Sequence, residues 1–180
     1  MGAASAIPPK LGEGLSRKVF ARGRRQVWKV AKNEAGRLQN LAEAVISLRV
    51  APSSPHLGRV TQVADFGNKI IMERVSTAPP AVFARRLGMD FERELIRWTL
   101  ATPAERRDHP GRLPAGVRSL LTRLIRHWGV APDDLARCSN WGLRRRGQNW
   151  VPVLIDYGLV ARRGFFRRHR TTLASWRVSE

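Results

Sequence analysis

The sequence predicts an α+β fold in which a small antiparallel sheet precedes a mostly helical half, with a cleft between the two. Short β-prone runs separated by glycines and basic residues fill the first part of the 180-residue chain. Apolar stripes of helical period fill the second part, and one pair of strand-like segments interrupts them. The length suits one domain, and a hydrophobic content of 43% is enough to build a core.

The charge balance is strongly basic, with 33 Lys and Arg against 14 Asp and Glu and a formal net charge of +19. Arginines cluster at 22–25, 144–146 and 162–170. Such a charge favours phosphate-rich partners, namely nucleotide, nucleic acid or another polyanion. The single cysteine, Cys138, excludes an internal disulfide and indicates a reducing, cytoplasmic compartment. No apolar run approaches the roughly 20 residues that span a membrane.

The first half reads as strands around one helix. Residues 1–10 are expected to be a flexible lead-in. The segments 19–20 and 27–30 predict two strands joined by a polar turn, and the segments 60–64 and 69–75 predict two more. Between the two pairs, Asn33 is a plausible cap for a helix that ends at 52–55. Its predicted apolar positions recur at three and four residues: Leu38, Leu41, Ala42, Val45 and Leu48.

The second half reads as helices around one strand pair. A helix is expected over 89–101, and the clearest helix runs from Val117 to Trp128, whose apolar stripe predicts core packing. A loop with Asp133 and Asp134 follows. Strands are then predicted at 141–143 and 151–155, and the tail 162–180 is basic.

The order of these motifs, over about 11–160, resembles the protein kinase superfamily. Gly12 and Gly14 look like the start of its glycine-rich, phosphate-binding loop, with Arg17 in the place of the third glycine. Lys29 resembles the phosphate-binding lysine of the next strand, with Lys32 as the fallback, and Glu43 on the helix is the expected partner of Lys29. The segment 70–75 resembles the strand that leads to the interlobe hinge, so that Glu73 and Val75 are expected to contact a nucleotide base.

The metal-binding pair expected from the resemblance is Asn140 with Asp156. An amide and a carboxylate on adjacent strands suit Mg²⁺ that bridges the phosphates of ATP. Asp156-Tyr157-Gly158 then matches the kinase metal-binding motif, with Tyr157 replacing the usual Phe. Asp65-Phe66-Gly67 has a similar composition but comes too early, and we interpret it as a hairpin turn.

Two departures from the family pattern limit what the resemblance implies. No Asp lies five residues before Asn140. Asp134 is the candidate catalytic base if the loop carries one extra residue; alternatively, Asp133 or Asp134 caps a short helical turn over 135–137. Only 22 residues follow Gly158, which leaves no room for the peptide-binding helices of ordinary kinases.

The expected organisation is a sheet lobe over 11–76, a reduced helical lobe over 77–161 and a basic tail over 162–180. Two functional hypotheses follow. One is a kinase-like nucleotide-binding protein, or an atypical ATP-dependent phosphotransferase. The other is an inactive kinase-like module whose arginines bind nucleic acid or a protein partner, for example a virion or assembly component of a bacteriophage. The compact layout also resembles small kinase-like proteins of bacterial viruses.

Overall fold

A five-stranded antiparallel sheet begins the fold, with strand order β1-β2-β3-β5-β4. The computed structural model describes residues 8–109, 111–160 and 165–169. The strands of this sheet are β1 (Lys10–Glu13), β2 (Arg17–Arg22), β3 (Gln26–Ala31), β4 (Val60–Ala64) and β5 (Lys69–Glu73). Helix α1 (Glu34–Val50) connects β3 to the second strand pair and packs against the sheet. The predicted α+β class and its N-terminal antiparallel sheet are therefore confirmed.

Helices dominate the rest of the described chain, around a three-stranded sheet of order β6-β7-β8. The α-helices are α2 (Pro80–Leu87), α3 (Phe91–Leu100), α4 (Pro103–Asp108), α5 (Ala115–Arg123), α6 (Pro132–Leu135) and α7 (Phe165–Arg168). Helix α5 continues as a π-helix over Leu124–Trp128, so that the helix predicted from Val117 to Trp128 is present. The strands are β6 (Ser76–Thr77), β7 (Trp141–Arg146) and β8 (Asn149–Leu154). No helix in the described ranges is long and apolar enough to cross a membrane.

Local signals locate the ends of several elements. The Asn33 side chain accepts a hydrogen bond from the Gly36 amide, which confirms the predicted cap of α1. Asp65-Phe66-Gly67 forms a tight turn between the antiparallel strands β4 and β5, as predicted. All three residues have positive φ angles, and a side chain at Gly67 would collide with Leu41. Glycine is therefore required at this turn.

The structure corrects two predictions about helices. Leu48 is exposed, although the predicted stripe of α1 placed it in the core. Helix α1 lies between the sheet and the helical half, so it is buried on several sides and includes the polar residues Asn40, Glu43 and Ser47 in its buried set. The proposed cap role of Asp133 and Asp134 is also wrong, because both lie within the first turn of α6 and Ala131 occupies the cap position.

One hydrophobic core joins the two halves of the molecule. The main cluster of buried residues runs from Val27 in the first sheet to Phe165 in α7 and includes apolar residues of α1, α3, α5 and β8. The segment before β4 adds to this connection, because the Gly58 amide donates to the Leu154 carbonyl and the Leu154 amide donates to the His56 carbonyl. The end of β8 is thus fixed against the N-terminal half.

Candidate functional site

A cavity of about 430 Å³ lies between the five-stranded sheet and the segment that follows β8. Its volume falls in the range of about 300–1,000 Å³ that small-molecule sites occupy. Apolar side chains of the sheet form one wall: Leu11, Val19, Val27 and Met72. Ser139, Ile155 and Asp156 form the opposite wall, and the connection Glu73 to Thr77 closes one side. An apolar wall with a few charged groups at one end is typical of a small-molecule site.

A buried ion pair lies at the charged end of this cavity. Lys29 is on β3 and Glu43 on α1, and the Lys29 Nζ donates to both carboxylate oxygens of Glu43 at 2.9 and 2.8 Å. The same ammonium donates to the Ile155 carbonyl at 2.6 Å and lies 3.9 Å from Asp156 Oδ1. Both partners are buried, so the pairing predicted between the strand lysine and the helix glutamate is present in the fold.

Arg17, at the start of β2, joins the same cluster. Its guanidinium donates to Glu43 Oε1 at 2.9 Å and to Asn40 Oδ1 at 3.3 Å. Its other terminal nitrogen donates to Asp156 Oδ1. Asp156 thereby accepts from Arg17 and approaches Lys29, so two cations and two carboxylates share one small volume.

The Asp156-Tyr157-Gly158 segment packs directly against α1. The Tyr157 amide donates to Glu43 Oε1 at 3.3 Å, and the buried Tyr157 hydroxyl donates to the Gly58 carbonyl at 2.7 Å. A Cβ at Gly158 would lie 2.5 Å from the Gln39 carbonyl oxygen. Only glycine allows this approach, which holds Asp156 at the mouth of the cavity with its side chain 42% exposed.

The pKa values of the two carboxyl groups in the cluster, Glu43 and Asp156, are shifted in opposite directions. Burial raises the pKa of Glu43, in opposition to the nearby charges of Arg17 and Lys29. Burial acts in the same direction on Asp156, but Lys29 and Arg17 outweigh it and hold the pKa of Asp156 well below its usual range. The pKa of Arg17 is raised by the two carboxylates in spite of its burial. Asp156 is therefore the firmly ionised acid of the pair.

Asp134 and Asn140 form a second polar pair next to Asp156. The Asn140 side-chain amide donates to the Asp134 carbonyl at 2.8 Å and to Asp134 Oδ1 at 3.0 Å. The Asn140 carbonyl accepts from the amides of Ile155 and Asp156. Burial, followed by the negative charge of Asp156, raises the pKa of Asp134. Neither Asp134 nor Asn140 is among the residues that line the cavity, although the neighbouring Ser139 is.

The remaining candidate residues divide between cavity and periphery. Gly12, Glu73 and Val75 line the cavity, and Val75 lies between the two sheets, outside the paired residues of both. Glu73 also forms an ion pair with Arg144 at 2.6 Å. Gly14 is in the β1–β2 turn, where its amide donates to the Arg17 carbonyl, and it is not among the residues that line the cavity.

The acidic groups at the cavity fit a divalent cation poorly in this arrangement. Among the described residues that line the cavity, Asp156 is the only carboxylate at the charged end, and its Oδ1 already accepts from Arg17. Asn140, whose side-chain oxygen would be the ligand, is not among the residues that line the cavity. Two adjacent cations lower the affinity of a carboxylate for a third. The Mg²⁺ ligation predicted for Asn140 and Asp156 stays a prediction.

Sequence reasoning places Arg17 in the position of a loop glycine and misses its contacts with Glu43 and Asp156. The alternation of β2 contained a usable signal. Arg17, Val19 and Ala21 share one face of the strand, and Val19 and Ala21 are apolar, so this face was bound to point inward. An inward arginine requires a buried acid, and Glu43 was the acid already assigned to the facing helix.

Comparison with known proteins adds no evidence about this site. A scan against protein-family models found no matching family, and a search of the curated proteins found no similar sequence. The resemblance to protein kinases therefore stays a prediction from the sequence.

Proposed function

We propose that the chain is a kinase-like nucleotide-binding protein whose ligand is a purine nucleoside triphosphate such as ATP. The observation that carries the proposal is the buried Lys29–Glu43 pair at the charged end of a cavity of suitable size. A lysine held by a helix glutamate beside an ionised aspartate is the arrangement that kinases use to bind phosphates.

The cavity also suits the two ends of such a ligand. A flat base would lie against Val19, Val27 and Met72, with its polar edge at the backbone of Val75. The phosphates would extend toward Lys29, where a phosphate oxygen would replace the Ile155 carbonyl as a partner of the ammonium. Gly12 in β1 has open space around its Cα, so the backbone can approach the ligand closely.

Phosphoryl transfer is the reaction that this proposal implies for an active protein. Asp134 would accept the proton of an attacking hydroxyl, since its raised pKa and its bond to Asn140 hold it as an oriented base. Asp134→Asn should then abolish release of ADP from ATP and leave ATP binding intact. Equal turnover in this variant and the wild type would exclude Asp134 as the base.

Calorimetric titration of ATP into the purified, nucleic-acid-free protein tests the binding proposal, with each titration made in excess MgCl₂ and again in excess EDTA. We expect micromolar binding by the wild type and loss of at least about 1.4 kcal/mol, a tenfold weaker Kd, in Lys29→Ala. Wild-type protein that is folded and binds ATP in neither buffer refutes the proposal.

Lys32→Ala is the matched control. Lys32 lies three residues from Lys29, but its ammonium pairs with Glu13 and it does not line the cavity. It should bind ATP as the wild type does. Loss of binding in Lys32→Ala with retention in Lys29→Ala would transfer the phosphate contact to the fallback lysine.

A second candidate function, polyanion binding, is supported by one surface. The Arg74 guanidinium donates to the Gly23 carbonyl and the Arg74 amide to the Arg25 carbonyl, so the exposed β2–β3 turn and Arg74 lie side by side. Exchange of Arg24 and Arg25 for serine should weaken binding to a duplex DNA fragment and reduce its salt dependence, whereas Lys29→Ala should not. The reverse pattern would exclude this surface.

A further inference from the structure

Arg17 stands where the kinase resemblance expects a glycine, and its guanidinium is directed into the ion cluster. The side chain is only 7% exposed, and its contacts are Asn40 and Glu43 on α1 and Asp156 after β8. Arginine keeps its charge under all ordinary conditions. The fold thus contains a fixed cation bound to the carboxylate of the presumed metal motif.

The charges of the cluster are balanced without an added ion. Lys29 and Glu43 form one pair at 2.8 Å, and Arg17 bridges Glu43 and Asp156. Were Arg17 a glycine, the cluster of Lys29, Glu43 and Asp156 would carry one excess negative charge. That excess charge is what attracts a divalent cation to such a site.

We propose that Arg17 takes the place of the divalent cation, so that the cavity binds nucleotide as the metal-free anion. The inference rests on the proposed nucleotide-binding function and specifies the form of the ligand. Arg17 is a positioning residue here, because it acts on the phosphates through Asp156 and Lys29 and does not line the cavity.

The arrangement has two consequences for ligand binding. By neutralising Asp156, Arg17 removes the repulsion between this carboxylate and the phosphates, which is the electrostatic task of a bridging metal ion. The net charge of +19 adds a field that attracts an anion and repels a dication. Both effects favour a free nucleotide over its magnesium complex.

The first test uses Mn²⁺ alone, with free Mn²⁺ measured by electron paramagnetic resonance. We expect Arg17→Gln to bind one Mn²⁺ at least about tenfold more tightly than the wild type, and Arg17→Gln with Asp156→Asn to lose the gain. Equal Mn²⁺ affinity in the wild type and in Arg17→Gln overturns the proposal, whether or not the protein binds nucleotide.

The second test compares ATP affinity in excess EDTA and in excess MgCl₂. The wild type should bind at least as tightly in EDTA, whereas Arg17→Gln should require Mg²⁺ to recover affinity. Lys18→Gln is the matched control, since it removes the same charge from the adjacent, opposite-facing position of β2, and it should behave as the wild type. Wild-type binding that requires Mg²⁺ overturns this inference but leaves the proposed function intact, and thermal unfolding of each variant verifies its fold.

Discussion

Replacement of Glu43 by glutamine is the sharpest probe of the ion cluster. The substitution keeps the shape of the side chain but removes a charge that two buried cations share. Glu43 is fully buried, and its carboxylate accepts from Arg17, Lys29 and the Tyr157 amide. Removal of one partner from a buried ion pair costs about 3–5 kcal/mol, because the remaining charge is left without compensation.

This loss of stability corresponds to a large change in melting temperature. For a domain of about 150–250 residues, 1 kcal/mol shifts the melting temperature by about 2–4 °C, so we expect Glu43→Gln to melt about 6–20 °C below the wild type. Differential scanning calorimetry at neutral pH measures the difference. Glu34→Gln is the control on the same helix, because Glu34 pairs with Arg37 on the surface, and its effect should be small.

An unchanged melting temperature in Glu43→Gln would refute this reasoning. It would show that Glu43 is protonated in the folded protein, as burial favours, and that Asp156 alone balances Lys29 and Arg17. Asp156→Asn would then become the destabilising variant.

Three further predictions concern the segment that follows β8. Gly158→Ala should destabilise the protein by about 1–3 kcal/mol, because its Cβ would collide with the Gln39 carbonyl. Chemical denaturation measures the loss, with Gly14→Ala, whose Cβ would lie in open space, as the control. Equal denaturation midpoints for the two variants would contradict the tight contact at Gly158. Tyr157→Phe removes the hydrogen bond to Gly58 and should lower the free energy of unfolding by about 1–2 kcal/mol in the same assay. An unchanged free energy of unfolding would mean that this hydrogen bond contributes nothing to stability. The pKa of Asp156 is lowered, in spite of burial, by Lys29 and Arg17 from the unfolded value of 3.8. The stabilisation that ionised Asp156 contributes should therefore be complete above about pH 4 and lost as the pH falls further. The melting temperature of the wild type should then decline more steeply below pH 4 than that of Asp156→Asn. An equal decline in both proteins would refute this prediction.

Local patterns in the sequence determined most of the secondary structure. Period-2 and helical apolar patterns, the Asn33 cap and the turn at 65–68 each depend on residues close in the chain, and the four longer strands of the first sheet, α1 and the turn formed as these signals indicate. The same holds for Lys29 on a strand and Glu43 on the following helix, because both positions follow from element order. The short elements β1, β6, α2 and α4 were not predicted, and α6 lies where a loop was expected. The tail at 161–164 and 170–180, with most of its predicted basic cluster, lies outside the described residues.

Only the tertiary structure determines which charged residues pair with one another. Arg17 and Asp156 are 139 positions apart, and no local pattern relates two residues at that separation. Their contact exists because Gly158 allows the segment after β8 to approach α1, and the register of β2 against β3 sets Arg17 opposite Ala31, at the end of the strand that carries Lys29. Charge pairing inside a fold depends on distance in space and on burial, and the order of residues along the chain specifies neither.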